Sequence, residues 1–161
     1  NAIRLNGIAE LAQRSGVVLP SAAPEEFAAV NWEQLREMQQ HGIEIGGHTR
    51  SHPSLGHMPV LEAQQEIETS FNDLCQHLGE QPRTFCYPNG QPADYSEDIK
   101  KVVSQSGFLA AVTAYSDSFN TDIPWAWRRF VGCEEQFQFN KSLFGVEHLG
   151  NRIRNTRRCD Y

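Results

Sequence analysis

Residues 42–53 read Gly42-Ile43-Glu44-Ile45-Gly46-Gly47-His48-Thr49-Arg50-Ser51-His52-Pro53. The run Ile43-Glu44-Ile45 followed by two glycines predicts a short strand that stops at Gly47. Directly beyond it stand two histidines, four residues apart. On one turn of helix that spacing points both imidazoles the same way, and such a pair can bind one divalent metal ion. Imidazole suits zinc, nickel, cobalt or copper. Spacing alone is a weak signal in a chain with six histidines, and two surface histidines near a helix start would look the same. What lifts the pair is its context: a strand, two glycines, and Pro53 just beyond.

Outward from this stretch, helix and strand alternate. Upstream, Asn31 caps a helix over 32–41, Gln34 completes a capping box, and Gly42 stops it. Further back, 2–14 reads as a helix with Ile3, Leu5, Ile8, Leu11 and Ala12 on one side and Gly16 at its end. A Pro/Ala/Ser-rich connector, 19–24, joins the two. Downstream, Pro59 opens the clearest helix, with Ile67, Phe71, Leu74 and Leu78 at helical spacing and Gly79 closing it. Thr84-Phe85-Cys86-Tyr87 predicts a second strand, broken by Pro88-Asn89-Gly90. Ser96 caps a helix through Ser106, Gly107 leads into an apolar strand over 108–113, and 128–132 predicts another strand. A final helix over 140–158 carries a flaw at Gly145. This order implies an α/β fold with a largely parallel sheet or barrel. In such folds functional groups gather where strands end. Residues 46–53 and 88–90 lie at the same end of their strands and are expected to face one site.

The second stretch, Arg83-Thr84-Phe85-Cys86-Tyr87-Pro88-Asn89-Gly90, ends in a tight turn that can aim backbone N–H groups outward, where they can stabilise an oxyanion. Alone it would be an ordinary strand-to-loop turn. Taken in order, Gly46-Gly47-His48-Thr49-x-x-His52-Pro53, a helix, then Phe85-x-Tyr87-Pro88-x-Gly90 resembles the polysaccharide deacetylase (NodB-homology) family. Trp32-Glu33-Gln34-Leu35-Arg36-Glu37-Met38 is similar to the helix that precedes the histidine strand in that family. The resemblance covers about 31–131. It implies a distorted (β/α) barrel with its site at the C-terminal ends of the strands, and removal of acetyl groups from N-acetylated polysaccharides or oligosaccharides. It implies a divalent metal, zinc above all, held by His48, His52 and an aspartate, with a second aspartate as general base. It also implies an oxyanion donor in the Pro-x-Gly turn, best matched by the Asn89 N–H, and substrate contacts along Tyr87, Pro88, Asn89 and Gly90.

The sequence departs from that pattern in three places. The family's Asp-Asp motif lies upstream of the histidines, yet no aspartate precedes Asp73. The upstream glutamates, Glu10, Glu25, Glu26, Glu33, Glu37 and Glu44, do not follow strands in the required way. Two histidines alone would bind zinc weakly, because catalytic zinc keeps three protein ligands. With Asn1 as first residue, the expectation is an N-terminally incomplete chain, inactive alone; a glycan-binding pseudoenzyme and a small-molecule amidase of the same superfamily are the alternatives. Cys86 stands where many members carry a base-orienting arginine, and Arg129, in Asp122-Ile-Pro-Trp-Ala-Trp-Arg-Arg129, is assigned that role. No good match exists for the family's Leu-x-His general acid; His148 reads as a solvated helix position, and His41, His57 and His77 as surface or capping residues. Trp125, Trp127 and Tyr87 are candidate sugar platforms, with core packing the competing reading.

Composition bounds the rest. With 161 residues, 39 % hydrophobic and 21 % charged, the chain suits one domain with a real core. No apolar run reaches a membrane span, and no signal-peptide pattern opens the chain. The net charge of −6 argues against a general nucleic-acid binder. Arg152, Arg154, Arg157 and Arg158 make a basic tail to the C-terminal region 139–161, read as a solvated helix end. Cys75, Cys86, Cys133 and Cys159 show no zinc-finger spacing and read as free thiols. Localisation stays open between bacterial cell envelope and cytoplasm.

Overall fold

The computed structural model describes residues 2–114, 124–129, 132, 134–144 and 146. Helix α1 (Ala2–Ser15) ends at Gly16, whose φ is 67°. Its expected apolar side meets little: Leu5, Ile8 and Leu11 are exposed, whereas Ala12 is buried. Helix α2 (Trp32–Gln40) starts at Asn31 with the full capping box, the Asn31 side chain accepting from Gln34 N–H and the Gln34 side chain accepting from Asn31 N–H, both at 2.9 Å. Helix α3 (Val60–Leu78) follows Pro59 and closes on Gly79 in the left-handed conformation, φ 74°. The two helices meet where Trp32 stacks on His77, 4.1 Å between rings, and Arg36 donates to the His77 carbonyl.

The sheet is parallel. Strand β1 (Thr84–Cys86) pairs with β2 (Ala110–Val112) in the register Thr84↔Ala110, Phe85↔Ala111, Cys86↔Val112. Parallel bridges extend the array on both sides, Gly47 to Phe85 and Val112 to Trp127. Helix α3 makes the crossover into β1, and α4 (Glu97–Gln105), capped by the Ser96 side chain, makes the next one into β2. Two of the expected strands enter the sheet only through single bridges among the described residues. Of 43–47 only Gly47 joins the ladder, donating to Thr84 O and accepting from Cys86 N–H, each at 2.8 Å. Of the stretch expected over 128–132 the bridge falls earlier, at Trp127, while 130 and 131 lie outside the described residues. Gly47 has a packing reason to be glycine: a Cβ there would sit 2.5 Å from the Phe108 ring.

The core gathers Phe85, Tyr87 and Phe108 from the sheet region with Leu55, with Ala63 and Ile67 of α3, and with Ile99, Val102 and Val103 of α4. Phe71 meets Phe108 edge-on at 5.0 Å, and Tyr87 stacks on Tyr95 at 4.5 Å. The last described helix, α5 (Gln136–Leu143), begins earlier than its apolar pattern indicated. Glu135 supplies the cap, its carboxylate accepting from Phe137 and Gln138 N–H, so the four preceding residues join the helix. Gly145, His148 and the basic tail lie outside the described residues. Among the described residues no helix is long and apolar enough to cross a membrane.

Candidate functional site

In a parallel sheet every strand ends on the same edge. That edge carries His48 after Gly47, Tyr87-Pro88-Asn89-Gly90 after β1, Thr113 after β2, and Arg128 and Arg129 after Trp127.

The histidine loop differs from the expected turn of helix. Residues 48–54 are irregular, and the next regular turn is the short 3₁₀ segment Leu55–His57. The imidazoles nevertheless converge, with centroids 4.8 Å apart and planes at 75°. Two left-handed residues bend the loop, Thr49 at φ 63° and His52 at φ 57°. For a β-branched threonine that conformation is rare and costs on the order of 1–2 kcal/mol. Compensating bonds are visible: Thr49 Oγ1 accepts from His52 N–H at 3.1 Å. The Glu66 carboxylate, reaching from α3, accepts from Arg50 N–H at 3.0 Å, Ser51 N–H at 2.8 Å and the Ser51 hydroxyl at 2.7 Å. Hydrogen bonds of this kind contribute roughly 1 kcal/mol each, enough together to offset the bend.

The oxyanion turn uses the same device. Asn89 is the third non-glycine residue at positive φ, 57°. Gly90 N–H folds back onto Pro88 O at 2.6 Å, and Gly90 O accepts from Ala114 N–H at 3.1 Å. A Cβ on Gly90 would lie 2.5 Å from that Ala114 nitrogen, so the turn seats on the end of β2 only with glycine there. No acceptor among the described residues takes the exposed Asn89 N–H. Outliers of this sort concentrate where a fold presents groups to a ligand. Here all the non-glycine ones among the described residues fall in the two motifs.

Tyr87 is a packing residue. Its ring is fully buried, covered by Tyr95, and its hydroxyl donates to Trp125 O at 2.9 Å. Burial, then the neighbouring Tyr95 and Glu97, push its phenol well above the usual range. A stacking role against sugar does not suit a ring with no exposed face, and Pro88 is buried as well. Trp125 is half-buried against the core, whereas Trp127 is exposed. Arg129 is exposed, with its Nε donating to Thr113 O at 2.6 Å. Burial raises the Cys86 thiol, and the Arg129 charge partly opposes that shift. Arg128 turns inward instead, to the Tyr95 hydroxyl.

The donor set fits a metal in part. His48 Nδ1 lies 2.7 Å from Cys86 O. A carbonyl only accepts, so Nδ1 carries the proton and Nε2 keeps the lone pair that a metal takes. The pair thus suits two ligand positions. Among the described residues no group of three or more His, Cys, Asp or Glu side chains comes together. Glu44, the glutamate nearest the histidines in sequence, accepts from Thr84 Oγ1 at the start of β1 instead.

Two further carboxylates escaped sequence reasoning. Glu66 is one. Buried Asp94 is the other: it accepts from Gln91 N–H and from Ser54 Oγ at 2.6 Å, and Ser54 Oγ lies 2.7 Å from His57 Nδ1. With Gly56 N–H donating to Asp94 O at 2.7 Å, these bonds tie the loop after His52 to the loop after Gly90. His57, read as a surface residue, is exposed but belongs to this tie.

A family model described as polysaccharide deacetylase matches residues 16–111, more than half of the chain, and the chain belongs to that family. The family is a deacetylase family acting on N-acetylated carbohydrate and is generally metal-dependent. Over 90 residues the chain is 30 % identical to YxkH of Bacillus subtilis (strain 168), named as a polysaccharide deacetylase, covering 56 % of this chain and 31 % of that protein. In fold it is similar to the Streptococcus pyogenes deacetylase PplD, solved with acetate, at TM-score 0.61 and 20 % identity, over 79 % of this chain and 52 % of that one. It is also similar to a de-N-acetylase from Aggregatibacter actinomycetemcomitans, at TM-score 0.59 and 18 % identity, over 78 % of this chain and 57 % of that one. The chain thus spans about a third of the curated relative and a little over half of each of these solved neighbours.

Proposed function

We propose that this chain provides the metal-histidine and oxyanion side of a metal-dependent deacetylase that removes acetyl groups from N-acetylated carbohydrate, within a distorted (β/α) barrel. The observation that carries the reading is the converging His48–His52 pair, with His48 Nδ1 pinned to Cys86 O, on the rung beside the Asn89 turn. His48 and His52 hold the ion, best suited to zinc, through ring nitrogens. When bound, a divalent metal would supply polarisation of the acetyl carbonyl and activation of water towards it. The Asn89 N–H faces outward to receive the negative charge that develops on the carbonyl oxygen. Arg129, anchored on Thr113 O, orients a carboxylate base, and Trp125 borders the substrate. Asn89 contacts substrate through its backbone, while buried Tyr87, Pro88 and Gly90, the last with both its backbone groups hydrogen-bonded, fix that backbone from within. Among the described residues no third metal-ligating side chain joins the pair, and the expected behaviour of this chain by itself is binding without turnover.

Zinc titration by calorimetry, with acetate release from an N-acetylglucosamine oligomer followed in parallel, tests the reading. The expected result is zinc binding that His48→Ala or His52→Ala abolishes, and no acetate release by the chain alone. Zinc binding indifferent to both substitutions would overturn it. Oligomer binding that persists without zinc and in both variants would favour a glycan-binding role instead.

A further inference from the structure

The loop between the two histidines holds itself in an unfavourable shape, with Thr49 and His52 both left-handed. Between them, Arg50 and Ser51 turn their N–H groups away from the sheet, and neither donates to a backbone carbonyl. Both N–H groups converge on one carboxylate oxygen of Glu66, and the Ser51 hydroxyl takes the other. Glu66 itself sits on α3 next to Ile67, which is fully buried in the core that also holds Phe85, so its backbone is anchored there. The side chain of Arg50 leans the same way, towards Asp73 two turns further along α3 at 4.0 Å. The loop therefore takes its shape from α3 rather than from its own backbone.

We propose that Glu66 is the positioning residue of the histidine pair: by clamping Arg50 and Ser51 it fixes the separation and angle of the His48 and His52 rings. The proposal rests on the reading of that pair as metal ligands. Glu66 touches neither imidazole and acts through the backbone between them. Its charge is not what the clamp requires. A glutamine amide can place its oxygen where Glu66 accepts the two N–H groups, and its nitrogen can donate to the Ser51 hydroxyl, which then reverses its role. Alanine offers no acceptor, and aspartate falls one methylene short.

The test compares the full chain with Glu66→Ala, Glu66→Asp and Glu66→Gln, using zinc alone as the probe in calorimetry and circular dichroism to verify folding. Glu66→Ala and Glu66→Asp should lose about tenfold or more in zinc affinity, the range seen when outer partners of metal ligands are removed. Glu66→Gln should stay close to the starting affinity. A folded Glu66→Ala chain that binds zinc unchanged overturns the proposal. Equal losses in Glu66→Gln and Glu66→Ala also overturn it, because charge rather than shape would then be the contribution. If Glu66→Ala does not fold, the aspartate and glutamine variants decide the matter on the same terms. A parent chain that binds no zinc sinks the metal reading, and the clamp is then read from amide hydrogen exchange. Arg50 and Ser51 amides protected in parent and Glu66→Gln but released in Glu66→Asp support it, and equal protection in all three removes it.

Discussion

At the scale of single residues, Tyr87 shows how the site is held from below. Its ring fills the core and its hydroxyl reaches Trp125 O. Replacing it with phenylalanine leaves the part-buried Trp125 carbonyl without this donor, and the expected loss is about 1 kcal/mol by urea denaturation at neutral pH. The same side chain gives the fold an alkaline limit. Its folded pKa is raised above the ordinary 10.0, so the folded chain holds the phenol proton more tightly than the unfolded one. Stability from this residue is intact below about pH 10 and falls as pH rises from there towards the folded value. Denaturation curves between pH 8 and 11 should steepen their decline near the top of that range, and Tyr87→Phe should lose its share of the slope. The sequence marked Tyr87 as part of a functional motif but did not reveal which way it faces. Motif membership fixes a backbone position, and the inward direction follows from Tyr95, a residue with no spacing rule linking it to the motif. Glu66 was hidden for a related reason: it lies on the polar side of α3, and its partners stand 15 and 16 residues away.

At the scale of elements, caps and glycines made most boundaries readable. Asn31, Pro59, Gly79 and Ser96 mark helix ends through local backbone chemistry, and each stands where the structure uses it. Asn31→Ala should cost about 1 kcal/mol, read as a lowered Tm, because it removes one half of the capping box. Strands were less legible. Ile43-Glu44-Ile45 has a strand's composition, but pairing depends on a neighbour supplied by another part of the chain, and only Gly47 enters the ladder. The histidine loop was misread as a turn of helix because i,i+4 spacing ordinarily signals one; positive φ at Thr49 and His52 brings the rings together by another route. Gly47→Ala should be more damaging than a cap loss, at about 1–3 kcal/mol, because its methyl group would press into the Phe108 ring. Thermal unfolding of the two variants side by side checks that order.

Over the whole molecule, the family pattern legible from 42–90 extends to a fold shared with solved relatives, while the barrel belongs to the proposed reading. Burial of α1 and α5 was not predictable: Leu5, Ile8 and Leu11 follow helical periodicity yet remain exposed, as do Phe137, Phe139 and Leu143. Periodicity tells which side is apolar, not what covers it. The proposed ion would also act on the molecule as a whole. Ligand that binds only the folded chain stabilises it by about 2.7 kcal/mol at a hundredfold excess over Kd. Zinc should therefore raise Tm in the parent and leave it unchanged in His48→Ala, as differential scanning calorimetry would register.

The parallel order of the rungs has a kinetic side. His48 and Cys86, bonded across the sheet, stand 38 residues apart in the chain, and no hairpin can bring them together early. Each neighbouring rung waits for a crossover helix to form and dock, which makes such pairings slow relative to local helix formation. A zinc-sensitive signal during refolding would thus lag behind the helical signal of α3, timing sheet closure rather than collapse.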